Sequence, residues 1–362
     1  VPSSTPTDTV QAANSRLGVG FLGAGPVTQA IHLPTLSRLT ELFTVAHVMD
    51  VDADVASAVA ARVGARHTPS VEALLADPGV DVVAVCSPHR FHAEQVIAAC
   101  RAGKKAVLCE KPFAVSVEEA AQISAVSAET GVPIVVGAMH AFDPGWLAAE
   151  QLWGDLPKTA HTLRSSIVLP PNARFEDFAT EVIARPSANE PDTTDPTVIA
   201  ATLAGGILGL AIHDLPLARR FVPCFDDLAV LRAEVVEPVG YIFLLRAGGR
   251  TVELTAQMSS GASAAWKPDW TFEAIGPDSS LKVTFTPSYV QAGSAVAELT
   301  ARGRTTIAGP FGHNGYEGEW RRIAGILRGT DPAPGAPALI DDLSFALAIA
   351  EGARTHILEA AA

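Results

Sequence analysis

Residues 20–36 read GFLGAGPVTQAIHLPTL, in which Gly23 and Gly25 hold the first two positions of a G-x-G-x-x-G pattern and Thr28 stands at the third. Such a loop, between an apolar run and an amphipathic stretch, lets a pyrophosphate approach helix N-terminal amides, with Gly23, Gly25, Pro26 and Val27 as contacts. A plain strand-to-helix turn also uses two glycines, so the loop needs support. Asp50, closing the apolar run FTVAHVMD, supplies it: a carboxylate there accepts from ribose hydroxyls and repels a 2′-phosphate. The cofactor expected is therefore NAD, with NADP less favoured. Hydride chemistry with such a cofactor, where a proton moves as well, also needs a proton acceptor with a pKa near the operating pH. Histidine has one unaided, and lysine acquires one by burial or a cationic neighbour.

Those residue types occur in apolar surroundings at Lys111 (KAVLCEKPF), His140 (AMHAFDP) and the His213–Asp214 pair of AGGILGLAIHDLPLARRF. The last stretch, 204–221, carries Gly205, Gly206, Gly209 and Pro216 although it is otherwise apolar enough for a buried helix. Glycine costs a helix interior about 1 kcal/mol and proline about 3, so helicity alone did not select it. For His213 and His140 the competing reading is a packed core histidine, and for Lys111 a surface lysine at a strand end.

These residues must be positioned by a regular alternation. The runs LGVGFLG, FTVAHVMD, VDVVAVCS, KAVLCE and PIVVGA are separated by Ala-rich amphipathic stretches, the rhythm of βαβ units and a parallel sheet. After about residue 137 the character changes. A polar, proline-rich tract covers 170–197, and DLAVLRAEVV, GYIFLLRAG, GRTVELTAQM, TFEAIGP and SLKVTFTP predict consecutive, mainly antiparallel strands joined by hairpins. Helices are expected at about 314–328 and 338–359. The division expected is a mobile tail (1–15), a nucleotide-binding domain (16–137), a substrate-binding and oligomerisation domain (138–337) and a closing helix packed back on the first domain (338–362).

With 362 residues, 48% hydrophobic and 18% charged, the chain can bury two cores, and its formal charge of −13 disfavours nucleic acid and anionic membrane surfaces as partners. No apolar run approaches the roughly 20 residues of a bilayer span, and the first fifteen residues lack a signal-peptide plan, so a cytoplasmic protein is expected. Cys86, Cys100, Cys109 and Cys224 sit singly in apolar contexts, which predicts buried free thiols and no metal site.

The run from VDVVAVCSPHRFHAEQVIAACRAGKKAVLCEKPFAVSVEEA to GVPIVVGAMHAFDP resembles the Gfo/Idh/MocA oxidoreductases, sugar and inositol dehydrogenases among them. Its most specific piece is Glu110-Lys111-Pro112 after a strand, with Ser87-Pro88-His89 and His92 in support. The resemblance implies a Rossmann, doubly wound parallel sheet followed by an open-faced antiparallel sheet that carries substrate contacts and a homodimer or homotetramer interface. It implies that Lys111 touches both the substrate hydroxyl and the nicotinamide ribose and that Glu110 helps hold that site. It also implies that Pro112 fixes the turn, and that Ser87, Pro88 and His92 line the nicotinamide half of the groove.

The stretch 204–221 looks like the family helix that faces the nicotinamide. His213 matches its histidine, but the acid four residues earlier is Gly209 and a second acidic position is Pro216. Residues four apart share a helical face, so an acid at 209 would sit beside His213. Asp214 projects about 100° away and is expected as a hydrogen-bond partner or structural residue, still grouped with His213 and His140 among the substrate-site residues. Met139 and His140 stand where relatives often have Asn and Arg, which makes His140 a substrate contact. Arg164, Trp266, Lys267 and Trp270 are weaker pocket candidates.

The function expected is an NAD(H)-dependent dehydrogenase or reductase acting on a hydroxyl or keto group of a sugar, cyclitol or sugar derivative, with Lys111 and His213 in proton transfer. Two alternatives stay open: a glycoside hydrolase working through transient oxidation and elimination, and a non-catalytic nucleotide-binding relative.

Overall fold

The computed structural model describes residues 16–170, 173–185, 194–237, 240–258, 269–287 and 293–361. The expected tail, Trp266 and Lys267 lie outside these residues. Strands β1 (Leu17–Leu22), β2 (Phe43–Met49), β3 (Arg66–Thr68), β4 (Val82–Val85), β5 (Ala106–Glu110) and β6 (Ile134–Gly137) form one parallel sheet in the order β3-β2-β1-β4-β5-β6. The strand order reverses between β1 and β4, and in such sheets a ligand crevice opens at the carboxyl ends of the strands there. Gly23 and Ser87 follow those two ends.

Helices α1 (Leu33–Ser37), α2 (Ala53–Val63), α3 (Val71–Leu75), α4 (His92–Arg101) and α5 (Val117–Thr130) make the crossovers. The strands read as continuous apolar runs because both faces are covered. Val19, Phe21, Ala84 and Leu108 belong to one core, and Leu22, Val83, Val85 and Val107 to the other. Asp52 and Ser116 cap α2 and α5, each closed by a left-handed glycine, Gly64 and Gly131. A cap of this kind contributes about 1 kcal/mol.

After α6 (Pro144–Glu150) and α7 (Leu156–Thr159) comes β7 (Thr162–Leu169), then α8 (Ala173–Ala179), α9 (Pro196–Gly209) and α10 (Leu215–Arg219). Strands β8 (Ala229–Val235), β9 (Gly240–Ala247), β10 (Arg250–Met258), β11 (Asp269–Ile275), β12 (Ser279–Phe285), β13 (Val296–Ala301) and β14 (Arg304–Ala308) follow. They form an eight-stranded sheet with β7, ordered β14-β13-β12-β11-β7-β10-β9-β8. The expectation of hairpin-joined consecutive strands fails at one place: β7 lies between β10 and β11, parallel to the first and antiparallel to the second. The β13–β14 hairpin escaped the sequence reading. It turns on Arg302 and Gly303, both with positive φ as a tight two-residue turn of matching twist requires.

The chain ends with α11 (Gly315–Arg328), capped by Asn314, and α12 (Ala336–Ala361). Helix α11 sends Trp320 and Ile323 into one parallel-sheet core, while α12 places Leu343 in the other and Phe345 and Ile349 in the core beneath the second sheet. The segment after α8 is tied back to the turn that follows β1. The Gln29 amide donates to Ala24 O and Ile183 O and accepts from the Ile183 amide, while Arg62 donates to Glu181 O.

Two expectations need correction. Residues 196–213 reach 18 residues at a mean hydropathy of 1.6, long and apolar enough by composition to be compared with a membrane span. That stretch is not one helix, however. Helix α9 ends at Gly209, a single tight turn covers Ala211–His213, and α10 restarts at Leu215. Pro216 explains the restart: it has no N–H for the Ile212 carbonyl and its ring would clash there, so it is placed in the first turn of a new helix. Gly209 and His213 therefore do not share a helical face. Among the thiols, all four free, Cys224 is exposed rather than buried, because it follows Pro223 in a surface turn and donates to Asp226.

Candidate active site

The crevice is built first from the loop after β1. Gly23 has φ +98°, and a Cβ there would lie 2.8 Å from the Cys86 and Ser87 backbone, so only glycine fits between the two strand ends. Gly25 faces open space, with nothing within 4 Å of the position of a Cβ. Pro26 and Val27 begin a helical stretch that widens into a π turn over Thr28–His32 before α1, and the Thr28 hydroxyl donates to Gly23 O at 2.6 Å. The Thr that replaces the third glycine therefore braces the loop from inside. Asp50, half-buried at the end of β2, accepts from the Ala24 amide at 2.8 Å and the Asp52 amide at 3.0 Å. Across the crevice, Ser87 donates to Gln95 at 2.7 Å and Pro88 is exposed. His92 is fully buried, with Nε2 2.7 Å from Ser87 O and Nδ1 2.8 Å from Pro112 O. It thus clamps the turn after β4 to the turn after β5.

The second part is the Glu110-Lys111-Pro112 turn, which contains a cis Lys111–Pro112 peptide. The Trp320 indole N–H donates to His32 Nδ1 at 3.2 Å, so His32 carries its proton on Nε2 and donates it to Glu110 Oε1 at 3.0 Å. Burial would raise the Glu110 carboxyl, but the His32 hydrogen bond and the nearby Lys111 charge outweigh it and hold it below the usual range. Lys111 Nζ donates to the Gly209 carbonyl at 2.5 Å. Burial pulls this ammonium below the ordinary lysine range against the opposing pull of Glu110. Gly209 O is one of the carbonyls left without an intrahelical partner where α9 stops, at the negative end of its dipole. The helix terminus thus gives Lys111 the negative partner that a side-chain acid at 209 would otherwise supply. Beside it, the Cβ direction of Gly209 meets nothing within 4 Å.

Third come the histidines. His213 is buried, and its Nδ1 has no hydrogen-bond partner among the described residues. Burial, then the charges of Lys111 and His140, push it well below the usual histidine range, so it is neutral. His140 stacks on Phe285 at 3.6 Å between ring centres and meets Trp270 edge-on at 4.5 Å. Its Nδ1 is 2.6 Å from Asp214 Oδ1. Asp214, 1% exposed, also accepts from Ser165 Oγ at 2.5 Å and Trp270 Nε1 at 2.8 Å. The ring centres of His140 and His213 are 6.0 Å apart. Glycine is required behind this group too, since a Cβ at Gly206 would lie 2.7 Å from the Tyr241 ring.

The structure therefore brings Lys111, His213, His140 and Asp214 together, beside the loop carrying Gly23, Gly25 and Asp50. Sequence reasoning did not find Ser165, Phe285, His32 or Trp320. Ser165 left a signal: β7 alternates buried and exposed positions, and Ser165 is a polar residue on the inward register. Trp270 reaches the site through its indole N–H, whereas Arg164 does not. Arg164 lies on the exposed sheet face, paired with Glu253 at 2.8 Å.

Glu319 of α11 is also buried here, 0% exposed, with neither carboxylate oxygen hydrogen-bonded among the described residues. Burial, and then the charge of Glu110, raise its pKa well above 4.5. An acid whose folded pKa is raised loses stability as pH climbs from the unfolded value to the folded one, by about 1.4 kcal/mol per pH unit. Glu319→Gln does not ionise, so its stability advantage over the wild type is expected to grow at that rate above pH 4.5. Urea unfolding at a series of pH values checks this, and parallel curves for the two proteins would refute it.

Residues 17–138 match the model of an oxidoreductase family with an NAD-binding Rossmann fold. Over 135 residues the chain is 40% identical to inositol 2-dehydrogenase 3 of Saccharopolyspora erythraea, covering 37% of this chain and 39% of that one. It is 41% identical over 97 residues to 1,5-anhydro-D-fructose reductase of Ensifer adhaerens, covering 26% and 28%. The chain thus spans well under half the length of these curated relatives. The whole fold is shared with a 3-ketoreductase from Actinomadura kijaniata crystallised with NADP and TDP-benzene, with a TM-score of 0.68, 23% identity, and 93% and 98% of the two chains covered. A UDP-N-acetylglucosamine 3-dehydrogenase from Acidithiobacillus ferrooxidans gives 0.70 at 19% identity, covering 95% and 99%. Residues 17–138, with Glu110-Lys111-Pro112 at the end of β5, are thus similar to the NAD-binding Rossmann domain of the Gfo/Idh/MocA oxidoreductases.

Proposed function

We propose that the protein moves a hydride between NAD(H) and a secondary hydroxyl or keto group of a sugar, cyclitol or sugar derivative. The observation that carries this is the meeting of Lys111, held on the Gly209 carbonyl, with His213, whose Nδ1 has no partner among the described residues, at the carboxyl ends of the parallel strands. The crevice fits a dinucleotide. The open space at Gly25 admits a pyrophosphate to the turn of Gly23, Gly25, Pro26 and Val27. Asp50 has carboxylate lone pairs for ribose hydroxyls, and Ser87 and Pro88 face the nicotinamide half, with His92 locking their turn. Bound there, the nicotinamide supplies hydride acceptance or donation. Lys111 and His213 act on the substrate oxygen: the ammonium donates to it and opposes its developing negative charge, and His213 offers the second polar contact.

Incubation with NAD and a polyol panel tests the reading. Reduced nicotinamide should accumulate with at least one polyol. Bound NAD with no turnover on any ligand that raises the melting point would favour a binding protein instead, and glycoside cleavage without net NADH a redox-neutral hydrolase. Asp50, Asp52 and Asp54 make the ribose end acidic, so NADP, with its doubly charged 2′-phosphate, is expected to bind about 10–100-fold more weakly than NAD. Calorimetric titration of the two nucleotides checks this, and equal affinity would refute it. A homodimer or homotetramer is part of the same proposal, supported by Val168, Ile242 and Ile307 exposed on the outer face of the second sheet.

A further inference from the structure

We propose that His140, positioned by Asp214, is the catalytic residue that takes the substrate hydroxyl proton during oxidation and returns it during reduction. This rests on the redox reading above and goes beyond it by reassigning the proton.

Three groups gathered at the candidate site are able to hold a proton, and their surroundings differ. Lys111 is an ammonium already engaged with Gly209 O. His213 is buried with Nδ1 unpartnered and has Lys111 for a neighbour, so among the described residues nothing compensates a positive charge on its ring. Among the three, only His140 has a carboxylate bonded to it. A carboxylate accepts and does not donate, so the proton between His140 and Asp214 sits on Nδ1, and Nε2 carries the lone pair. Asp214 does not wander, because Ser165 and Trp270 both donate to its other oxygen. Phe285 fixes the plane of the ring by stacking at an interplanar angle of 10°. Asp214, Ser165, Trp270 and Phe285 are positioning residues. The assembly is a base with a set tautomer, a set ring plane and a counter-charge for the imidazolium it becomes.

The step balances. The carbinol C–H pair leaves as hydride to the oxidised nicotinamide, the O–H pair becomes the second C–O bond, and the proton passes to His140 Nε2. The alcohol is oxidised and the nicotinamide reduced. The charged and titratable groups facing His140 are Asp214, Asp143, His213 and, beyond it, Lys111. The open space at Gly209 is then no defect, since the acid absent there has been replaced by a histidine–aspartate pair reaching in from β6's end and from the turn before α10.

The test uses the full chain with His140→Gln and Asp214→Asn and two readouts. In kinetics with a polyol that the wild type oxidises, His140→Gln should lower kcat about 100-fold or more with the Kd for NAD unchanged. Asp214→Asn should abolish the acidic limb of the wild-type pH profile, because an amide facing Nδ1 favours the tautomer with its proton on Nε2. In nitrogen NMR of imidazole-labelled protein with bound NAD, added myo-inositol or glucose should move the His140 Nε2 resonance in the wild type and not in Asp214→Asn. Unchanged kcat and pH profile in His140→Gln overturns the proposal and leaves the redox reading intact. A polyol that shifts Nε2 without any NADH from the wild type overturns the redox reading and retains only the contact. No shift of Nε2 with a polyol that is being turned over overturns the proposal, and silence in both readouts overturns both.

Discussion

Replacing Lys111 with methionine is expected to lower kcat about 100- to 1,000-fold, the effect of removing one preorganised donor aimed at a developing oxyanion. Methionine keeps the length and apolar body of the side chain, so the turn after β5 and the packing around it should survive. What goes is the positive charge. As the hydroxyl proton leaves in oxidation, or as hydride reaches the carbonyl carbon in reduction, the substrate oxygen would become more negative, and the burial that pulls the Lys111 ammonium down also strengthens its field on that oxygen. Arginine should not rescue. Its planar fork has no compact charge to seat on the Gly209 carbonyl at 2.5 Å. The Kd for NAD, measured by calorimetry, should change only a few-fold, because in the proposed binding mode the pyrophosphate and the adenosine ribose would lie at the other end of the crevice. A kcat within tenfold of the wild type would remove Lys111 from the reaction.

The parts of the site readable from sequence were those whose chemistry is local. Gly23, Gly25 and Asp50 lie within one βαβ unit, where spacing along the chain and spacing in space are tied by the strand–helix geometry. Glu110-Lys111-Pro112 is a single turn at the end of one strand. The parts that could not be read join segments far apart in the chain. His140 and Asp214 are 74 positions apart, Ser165 and Asp214 49, and His32 and Trp320 288. No periodicity connects them, because each side chain reaches the site from a different element. The pairing of β7 with β10 is unreadable for the same reason, since a parallel partner is not announced by a turn.

The error at 204–221 is of another kind. A spacing of four was converted into a shared helical face, and that conversion holds only while the helix is continuous. The helix cost of Pro216 already signals a bend, and sterically the chain cannot run through it as one helix. The break has a functional consequence. It frees the Gly209 carbonyl for Lys111, and it turns Asp214 inward toward His140 rather than out along a helix side. Asp214, expected as a hydrogen-bond partner, is one: it accepts from His140, Ser165 and Trp270.

Asp214→Ala is expected to destabilise the fold by about 3–5 kcal/mol, the usual cost of removing one partner from a buried, charge-assisted network. At 1% exposure Asp214 accepts from His140, Ser165 and Trp270, and all three donors are themselves buried. Each orphaned donor costs about 1–3 kcal/mol, and the sum is not additive because the Ser165 hydroxyl can rotate and His140 can change tautomer. Trp270 has neither escape: its indole N–H is fixed to a ring wedged on β11 against His140 and His213. Asp214→Asn should cost far less, about 1 kcal/mol, because the amide oxygen can still accept from Ser165 and Trp270 while its NH2 donates to a His140 ring that has moved its proton to Nε2. The two substitutions therefore separate what the carboxylate does for the fold from what its charge does for the histidine. Urea unfolding of both variants, read with the slope m unchanged, gives the two costs. A loss under about 1 kcal/mol for alanine would mean that water reaches these donors, and the pocket around His140 would then be too wet for a single carboxylate to set its tautomer.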